Sequence, residues 1–561
     1  MRLRDYQEAA VAGVFEAWKD SDSTLVVMPT GSGKTEVFSE IIRRVHPGRA
    51  LVLAHRGELI WQAVKRIEGL GIECSVEMAD LQAGTNFWNE TPVVVSTIQT
   101  QCAGQNGNGR MSLFKPEDFR LVIVDEAHHA TSPTWRRTLN YYRQNPELKI
   151  LGVTATPDRA DEEALGQVFQ TVAYDYEILD AIHDGWLTPI DQQMVVIEDL
   201  DFSGIRTTAG DLNGADLAAV MEAEKNLHGI VSSSVEIIGE RKAVVFTVTV
   251  KQAEMMAEIF NRHRFDMAGW VCGKTPKEER RKLLRNFDNG NTQVIVNVGV
   301  LTEGWDSPAC EVIVQARPTK SRCLYSQMVG RAMRPLPSLV DHLDSAEERK
   351  EAIAQSPKPS MLVIDFAGNA GRHKLITTAD ILGGKVSDEA IARATAKTKA
   401  NGQAVRMDEA LDDAERELTA EIEERKRREA ARKAHLVAKA RYTSRLINPF
   451  EAFQLQPVRA RGWDSGKTLS EKQRAILLKQ GVNPESMPYG QAKQLIDHQF
   501  YRWKNNLCSL KQAACLQRAG YADAAKMTRE DAARLITALK NNNWRRPDSP
   551  GFGVGVSQFG D

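Results

Sequence analysis

The chain has 561 residues, 42% of them hydrophobic and 26% charged, with a formal net charge of −1. That length accommodates about three domains, and the near-neutral balance excludes a simple polycationic binder, so any grip on a polyanion must come from local charge. No stretch approaches the roughly 20 apolar residues of a membrane span, and the seven cysteines include no C-x-x-C pair, which argues against a zinc cluster or a disulfide framework.

The N-terminus, Met1-Arg2-Leu3-Arg4-Asp5-Tyr6, runs straight into patterned sequence, so no signal peptide is expected and the reading is a cytoplasmic protein without a membrane partner. An apolar run, Leu25-Val26-Val27, precedes Met28-Pro29-Thr30-Gly31-Ser32-Gly33-Lys34-Thr35, and a helical pattern follows at Val37, Phe38, Ile41, Ile42 and Val45. A buried strand, a glycine turn and a helix N-terminus make a phosphate cradle. Gly31 and Gly33 let the backbone aim its N–H groups at one point. Lys34 is expected to reach the β- and γ-phosphates of ATP and the Thr35 hydroxyl to hold Mg²⁺, with Thr30 to Thr35 lining the nucleotide. The strict eight-residue pattern has glycine where Met28 stands.

Further on, Leu121-Val122-Ile123-Val124 reads as a fully buried parallel strand. Asp125-Glu126-Ala127-His128 follows at its carboxyl end, where open α/β sheets place their ligands. Asp125 is expected to hold the Mg²⁺ through water, and Glu126 to orient and deprotonate the attacking water.

Together these residues resemble the superfamily-2 helicases, the DEAD/DEAH-type ATPases with two RecA-like domains, over about residues 1 to 375. Leu3-Arg4-Asp5-Tyr6-Gln7 looks like their adenine-reading element, with Arg4 and Gln7 as cofactor contacts; a glutamine amide can pair with adenine N6 and N7. Ala54-His55-Arg56-Gly57-Glu58-Leu59 and Ser96-Thr97-Ile98-Gln99-Thr100 are similar to the strand-end elements that grip the nucleic-acid backbone. Thr154-Ala155-Thr156-Pro157 is similar to the element that couples hydrolysis to domain movement. Thr302-Glu303-Gly304-Trp305-Asp306-Ser307-Pro308 and Gln327-Met328-Val329-Gly330-Arg331-Ala332-Met333-Arg334-Pro335 resemble the two elements of the second domain. The resemblance implies phosphate contacts at Arg56, Thr97, Gln99 and Thr302, though each also suits a loop-capping role. It adds Gly304 and Asp306 to the nucleotide site. Arg331 and Arg334, three apart and so on one face if helical, are the expected arginine fingers. The start of the chain, the Thr-Glu-Gly-Trp-Asp element and Asp365-Phe366-Ala367-Gly368-Asn369 look most like the RadD and XPB type of DNA repair helicases.

The implied fold is α/β: two tandem RecA-like domains, parallel sheets flanked by helices, then a helical C-terminal region. We place the first RecA-like domain at 1–190, a connection at 191–230, the second RecA-like domain at 231–382 and a linker with a long charged helix at 383–445. A helical module follows at 446–546 and a disordered tail at 547–561. Residues 404–441 lack Pro and Gly and read as one helix, acidic first and basic later; a basic arm beside nucleic acid and a charged spacer both fit. The module holds a repeat offset by about forty residues: Lys472-Gln473, Leu477, Gly481, Met487, Ala492, Leu495 and Ile496 return as Lys511-Gln512, Leu516, Gly520, Met527, Ala532, Leu535 and Ile536. Trp503-Lys504-Asn505-Asn506 and Asn543-Trp544-Arg545-Arg546 suit base stacking with phosphate contact, or are core tryptophans.

The function expected is an ATP-dependent DNA helicase or translocase acting in replication, recombination or repair. It would bind ATP and Mg²⁺ and act as a monomer on single-stranded, duplex or branched DNA. The module is a candidate dock for a replication or recombination protein. An RNA helicase is the nearest alternative, and a nucleotide-switched binding scaffold is the alternative from another class.

Overall fold

Apolar runs without polar alternation need cover on both faces, and the first sheet shows why. The strands are β1 (Ser23–Val27), β2 (Arg49–Ala54), β3 (Cys74–Glu77), β4 (Val93–Thr97), β5 (Phe119–Asp125), β6 (Lys149–Thr154) and β7 (Thr171–Asp175). They lie in the order β3-β4-β2-β5-β6-β1-β7, every pair parallel. The five inner strands are almost wholly buried, while the edge strands β3 and β7 are only half-buried.

The computed structural model describes residues 3–83, 91–103, 109–155, 164–208, 210–301, 305, 307–370, 373–435, 448–453, 455–459, 461–464, 466–542 and 544. The chain divides into two compact units, residues 1–412 with 461–463, and residues 413–460 with 464–561. Among the described residues, no helix is long and apolar enough to cross a membrane.

The first unit contains both expected α/β lobes. Register fixes the working edge of the first: Val27 lies beside Thr154, and Asp125 beside Val153. The glycine turn after β1, the acidic end of β5 and the end of β6 therefore share one carboxyl edge. The second lobe is built on β8 (Ile190–Asp201), β11 (Ala243–Thr247), β12 (Ala268–Val271), β13 (Val294–Asn297), β14 (Val312–Ala316), β15 (Met361–Asn369) and β16 (Val405–Arg406). Their order is β12-β13-β11-β14-β15-β8-β16, parallel except for the short last strand. A two-stranded ribbon, β9 (Thr207–Thr208) and β10 (Asp211–Leu212), follows β8.

Two features differ from expectation. The stretch read as a connection, 191–230, begins with β8, which pairs with β15 from Ile190↔Met361 to Ala367↔Val196. Its polar start, Asp191-Gln192-Gln193, disguises a strand because Gln192 is buried through a hydrogen bond to Asp365. The long helix, expected over 404–441 as a basic arm or charged spacer, is described over Met407–His435, with 436–441 outside the described residues, and in its first turns Met407, Ala410, Leu411 and Ala414 are buried.

In the second unit each repeat folds as helix, turn, short 3-10 segment, helix: Glu471–Lys479 with Tyr489–Lys504, then Leu510–Arg518 with Arg529–Asn541. The repeated Lys-Gln has a physical reason. Ser470 with Gln473, and Ser509 with Gln512, form reciprocal capping boxes that satisfy the first turn of each leading helix. Gly481 and Gly520, at φ 83° and 89°, turn the chain out of those helices. Trp503 is 49% exposed and Trp544 53%, so neither is a core residue. Asn543, Arg545, Arg546 and the tail from 547 lie outside the described residues.

Candidate active site

The cradle begins with Gly33, the N-cap of the helix Lys34–Val45, at φ 84°, and Gly31 at φ 88°. Both are left-handed conformations that a Cβ disfavours, and at Gly33 a Cβ would stand 2.5 Å from Gln7 Nε2. The loop is held from behind. The Ser32 carbonyl accepts from the Tyr6 hydroxyl at 2.7 Å and from Gln7 Nε2 at 2.9 Å, while Ser32 Oγ donates to the Pro29 carbonyl at 2.7 Å. Tyr6 stacks on Tyr176 with centroids 4.7 Å apart. Lys34 Nζ donates to the Met28 carbonyl across 3.4 Å, a long bond that a phosphate oxygen can replace. Met28 itself is fully buried, so the position where the strict pattern has glycine here serves packing and offers its carbonyl to Lys34. Thr35 follows in the first helical turn, where the N-terminal partial charge favours anions.

Asp125 closes β5 almost buried. Burial, and then the neighbouring Glu126 charge, push its carboxyl up to about 7, against Lys34 and His55. Glu126 takes a left-handed conformation, φ 49°, and its backbone N–H donates to Asp125 Oδ1 at 3.0 Å. His128 Nδ1 lies 3.5 Å from Glu126 Oε2 and 3.1 Å from Thr154 Oγ1, linking the acidic element to the end of β6.

The second lobe reaches the same cradle. A Cβ at Gly31 would meet Arg334 Nε at 3.2 Å, and one at Gly330 would meet the Thr30 Cβ at 2.7 Å. Arg331 donates Nη1 to the Trp305 carbonyl at 2.8 Å. The two arginines do not share a helix face: the helix Arg322–Val329 ends at Gly330, and Pro335 disfavours helical geometry at Arg334. Between the lobes lies a cavity of about 760 Å³, lined by Arg4, Gln7, Gly31, Ser32, Gly33, Trp186 and Arg334 among others. Its volume is within the range of small-ligand sites.

Arg4 bridges the lobes through an ion pair with Asp341 at 2.6 Å. Its guanidinium lies 4.4 Å from the Trp186 ring centroid, and Arg349 lies 4.0 Å from it. Gln7 is tied at both ends, accepting from the Arg4 backbone N–H at 3.0 Å as well as donating to Ser32. One amide hydrogen and one lone pair remain for a base.

The expected backbone-gripping residues fall in different settings. Arg56 donates Nη1 to the Gly299 carbonyl at 3.2 Å, so it spans the two lobes. Gln99 Nε2 donates to the His55 carbonyl at 3.1 Å beside it. Thr97 is buried and caps the helix Ile98–Cys102, accepting from Thr100 N–H. Thr302, Gly304 and Asp306, like Thr156 and Pro157, lie outside the described residues. Sequence reasoning assigned no role to Tyr6, Trp186 or His128. Tyr6 and His128 stand inside quoted motifs and were within reach; Trp186 follows a turn glycine and carries no motif signal.

Family models match both lobes: "Type III restriction enzyme, res subunit" over residues 1–159 and "Helicase conserved C-terminal domain" over residues 226–335. The Saccharomyces cerevisiae protein named as ATP-dependent helicase IRC3 is 29% identical over 350 residues, covering 59% of this chain and 49% of that protein. A 51.5 kDa protein of a Lactococcus phage is 30% identical over 313 residues, 55% of this chain and 62% of its own length. The DNA 3'-5' helicase XPB of Mycobacterium tuberculosis is 26% identical over 354 residues, 60% of this chain and 58% of that protein. The chain thus spans about half to three-fifths of the length of these relatives, and the shared part is the two-lobed unit built around the cavity. Each lobe is similar to a domain of helicase-type enzymes, and the two-lobed unit is similar to XPB-type helicases.

Proposed function

We propose that the chain hydrolyses ATP in the cavity between its lobes and uses lobe closure to move along or remodel DNA. The observation that carries this reading is Arg334 of the second lobe lying against Gly31 of the cradle. A guanidinium there meets the γ-phosphate only while the lobes are together, so hydrolysis depends on their closure. Such a group is worth about 10³ to 10⁵ in rate, roughly 4–7 kcal/mol.

Lys34 and the backbone N–H groups of Gly31 to Thr35 bind and orient the phosphates. Glu126 takes the proton from the attacking water onto its carboxylate, and His128, between Glu126 and Thr154, fixes that carboxylate and reports the event to the end of β6. Asp125, a buried carboxylate at the end of β5, and the Thr35 hydroxyl in the first turn after the cradle offer the hard oxygen donors that would hold a magnesium ion. When bound, that ion neutralises charge on the β- and γ-phosphates. Arg331, held by the Trp305 carbonyl, is a positioning residue for the 302–306 segment, whose Gly304 and Asp306 complete the nucleotide site in this reading.

Arg56 and Gln99 on the first lobe, with Thr302 on the second, contact the backbone of the strand, and Thr97 shapes the loop that presents Gln99. Phosphate contacts carry no sequence information and weaken steeply with salt. DNA as the substrate is supported by the name of the mycobacterial relative. The test compares ATP turnover with single-stranded, duplex and forked DNA and with RNA of one sequence. Stimulation by DNA above RNA is expected. Equal or greater stimulation by RNA would make this an RNA helicase, and no stimulation by either would reject movement on nucleic acid.

A further inference from the structure

The second lobe contains a separate cavity of about 450 Å³ at the carboxyl ends of β14 and β15, bounded on one side by the helix Asp388–Asn401. Gln315 and Asp365 are register partners there, side by side on one face of the sheet. Asp365 is satisfied: its Oδ2 accepts from Gln192 Nε2 and from the Tyr325 hydroxyl, the latter at 2.7 Å. Gln315 is not. It is 3% exposed, it lines the cavity, and neither its amide nitrogen nor its amide oxygen has a hydrogen-bond partner among the described residues. A buried amide with no partner costs free energy that a bound group offering both an acceptor and a donor would recover.

Two residues further along, Arg317 lines the same cavity, and burial lowers its guanidinium from the ordinary value. It forms no hydrogen bond or ion pair with a described residue; Asp211 acts on it only at a distance. His373, also on the wall and buried, has no partner for Nε2 among the described residues. Among the acids of the wall, Asp380 is paired with Lys374 at 3.1 Å, Asp365 accepts from Gln192 and Tyr325, and Asp388 opens the facing helix. The site therefore offers a bidentate amide deep inside, a largely desolvated cation beside it and an aromatic wall at Phe366.

We propose that this cavity is a subsite for one nucleotide unit, its base edge read by the Gln315 amide and its phosphate held by Arg317. Glutamine is suited to paired donor–acceptor contact with a base edge, and guanidinium to phosphate. The unit comes from a strand passing the carboxyl ends of the second sheet or from a free nucleotide. The strand source rests on the nucleic-acid reading above.

The test uses the whole chain with its ATP site filled by a non-hydrolysable analogue. A short single strand carrying 2-aminopurine is titrated into the wild type, Gln315→Leu and Arg317→Gln, and free dCMP is added as competitor. Each variant is expected to bind about tenfold more weakly, with unchanged ATP turnover in the absence of nucleic acid and an unchanged unfolding midpoint. The rise of 2-aminopurine emission that marks an unstacked base is expected in the wild type and lost in Gln315→Leu. Competition by dCMP identifies a free nucleotide as an occupant; variant-sensitive binding without competition identifies the strand. Wild-type affinity of both variants for strand and dCMP would overturn the proposal and leave a solvent-filled cavity. A wild type that binds dCMP through Gln315, yet shows no strand-stimulated turnover, would keep the subsite and reject the translocase reading.

Discussion

Glu126 holds a backbone conformation, φ 49° and ψ 55°, that side-chain-bearing residues adopt at a cost of about 1–3 kcal/mol. The strain turns the carboxylate back toward His128 and the carboxyl edge of the sheet. Glu126→Gln preserves shape and removes basicity, so it is expected to bind ATP normally and to slow hydrolysis by about 10² to 10⁴; single-turnover hydrolysis within about twofold of wild type would remove Glu126 as the base. Gly33→Ala combines a left-handed backbone with a contact on Gln7. It is expected to cost about 1–2 kcal/mol in stability and to weaken ATP binding, read by thermal unfolding and nucleotide titration; a variant equal to wild type in both would show that the loop opens freely. The glycine turn before Lys34 and Thr35 and the strand that ends at Asp125 were legible in the sequence, because contiguous spacing specifies both. Trp186 was not, because its contacts arise only when Arg4 and Arg349, distant in sequence, both reach its ring.

Among elements, the helix Lys34–Val45 carries the cradle and is fastened by Glu40. Its carboxylate accepts from Arg43 Nε at 2.7 Å and Nη2 at 2.6 Å, and from Arg44 Nε at 2.7 Å. Hydrogen bonding from Arg43, opposed by burial and helped by Arg44, holds it at about 2. The folded value lies below the unfolded one, so this stability is complete above about pH 4.5 and drains as pH falls toward 2. Glu40→Gln is therefore expected to be less stable than wild type at pH 7, with the gap narrowing in acid; a gap independent of pH would contradict the assignment. In the repeats, Ser509→Ala removes a capping box and is expected to cost about 1 kcal/mol, seen as faster amide exchange in the helix Leu510–Arg518; unchanged exchange would mean that packing alone fixes that helix. Periodicity and turn glycines made these helices readable in sequence. β8 escaped because buried Gln192 looks like loop sequence until Asp365 is placed beside it.

At the scale of the molecule, the order of the motifs foretold two α/β lobes, and the first unit contains both sheets. Sequence order marked Arg334 as a side chain that crosses between them, but not Arg4 or Arg56. Arg4 to Asp341, Arg56 to Gly299 and Arg334 to Gly31 are contacts between residues more than 240 positions apart. Nor did it show that residues 461–463 belong to the first unit, where Arg461 donates to Glu177 Oε1 at 2.8 Å and Trp463 joins the core with Leu165 and Phe169. Closure of the two lobes on one triphosphate is the central claim, and Arg334 is its least redundant part. The most direct measurement is ATP hydrolysis by Arg334→Ala under saturating single-stranded DNA, alongside its affinity for ATP. Turnover is expected to fall about 10³-fold or more with affinity changed only a few-fold; turnover within about threefold of wild type would show that hydrolysis does not need Arg334 brought in by closure.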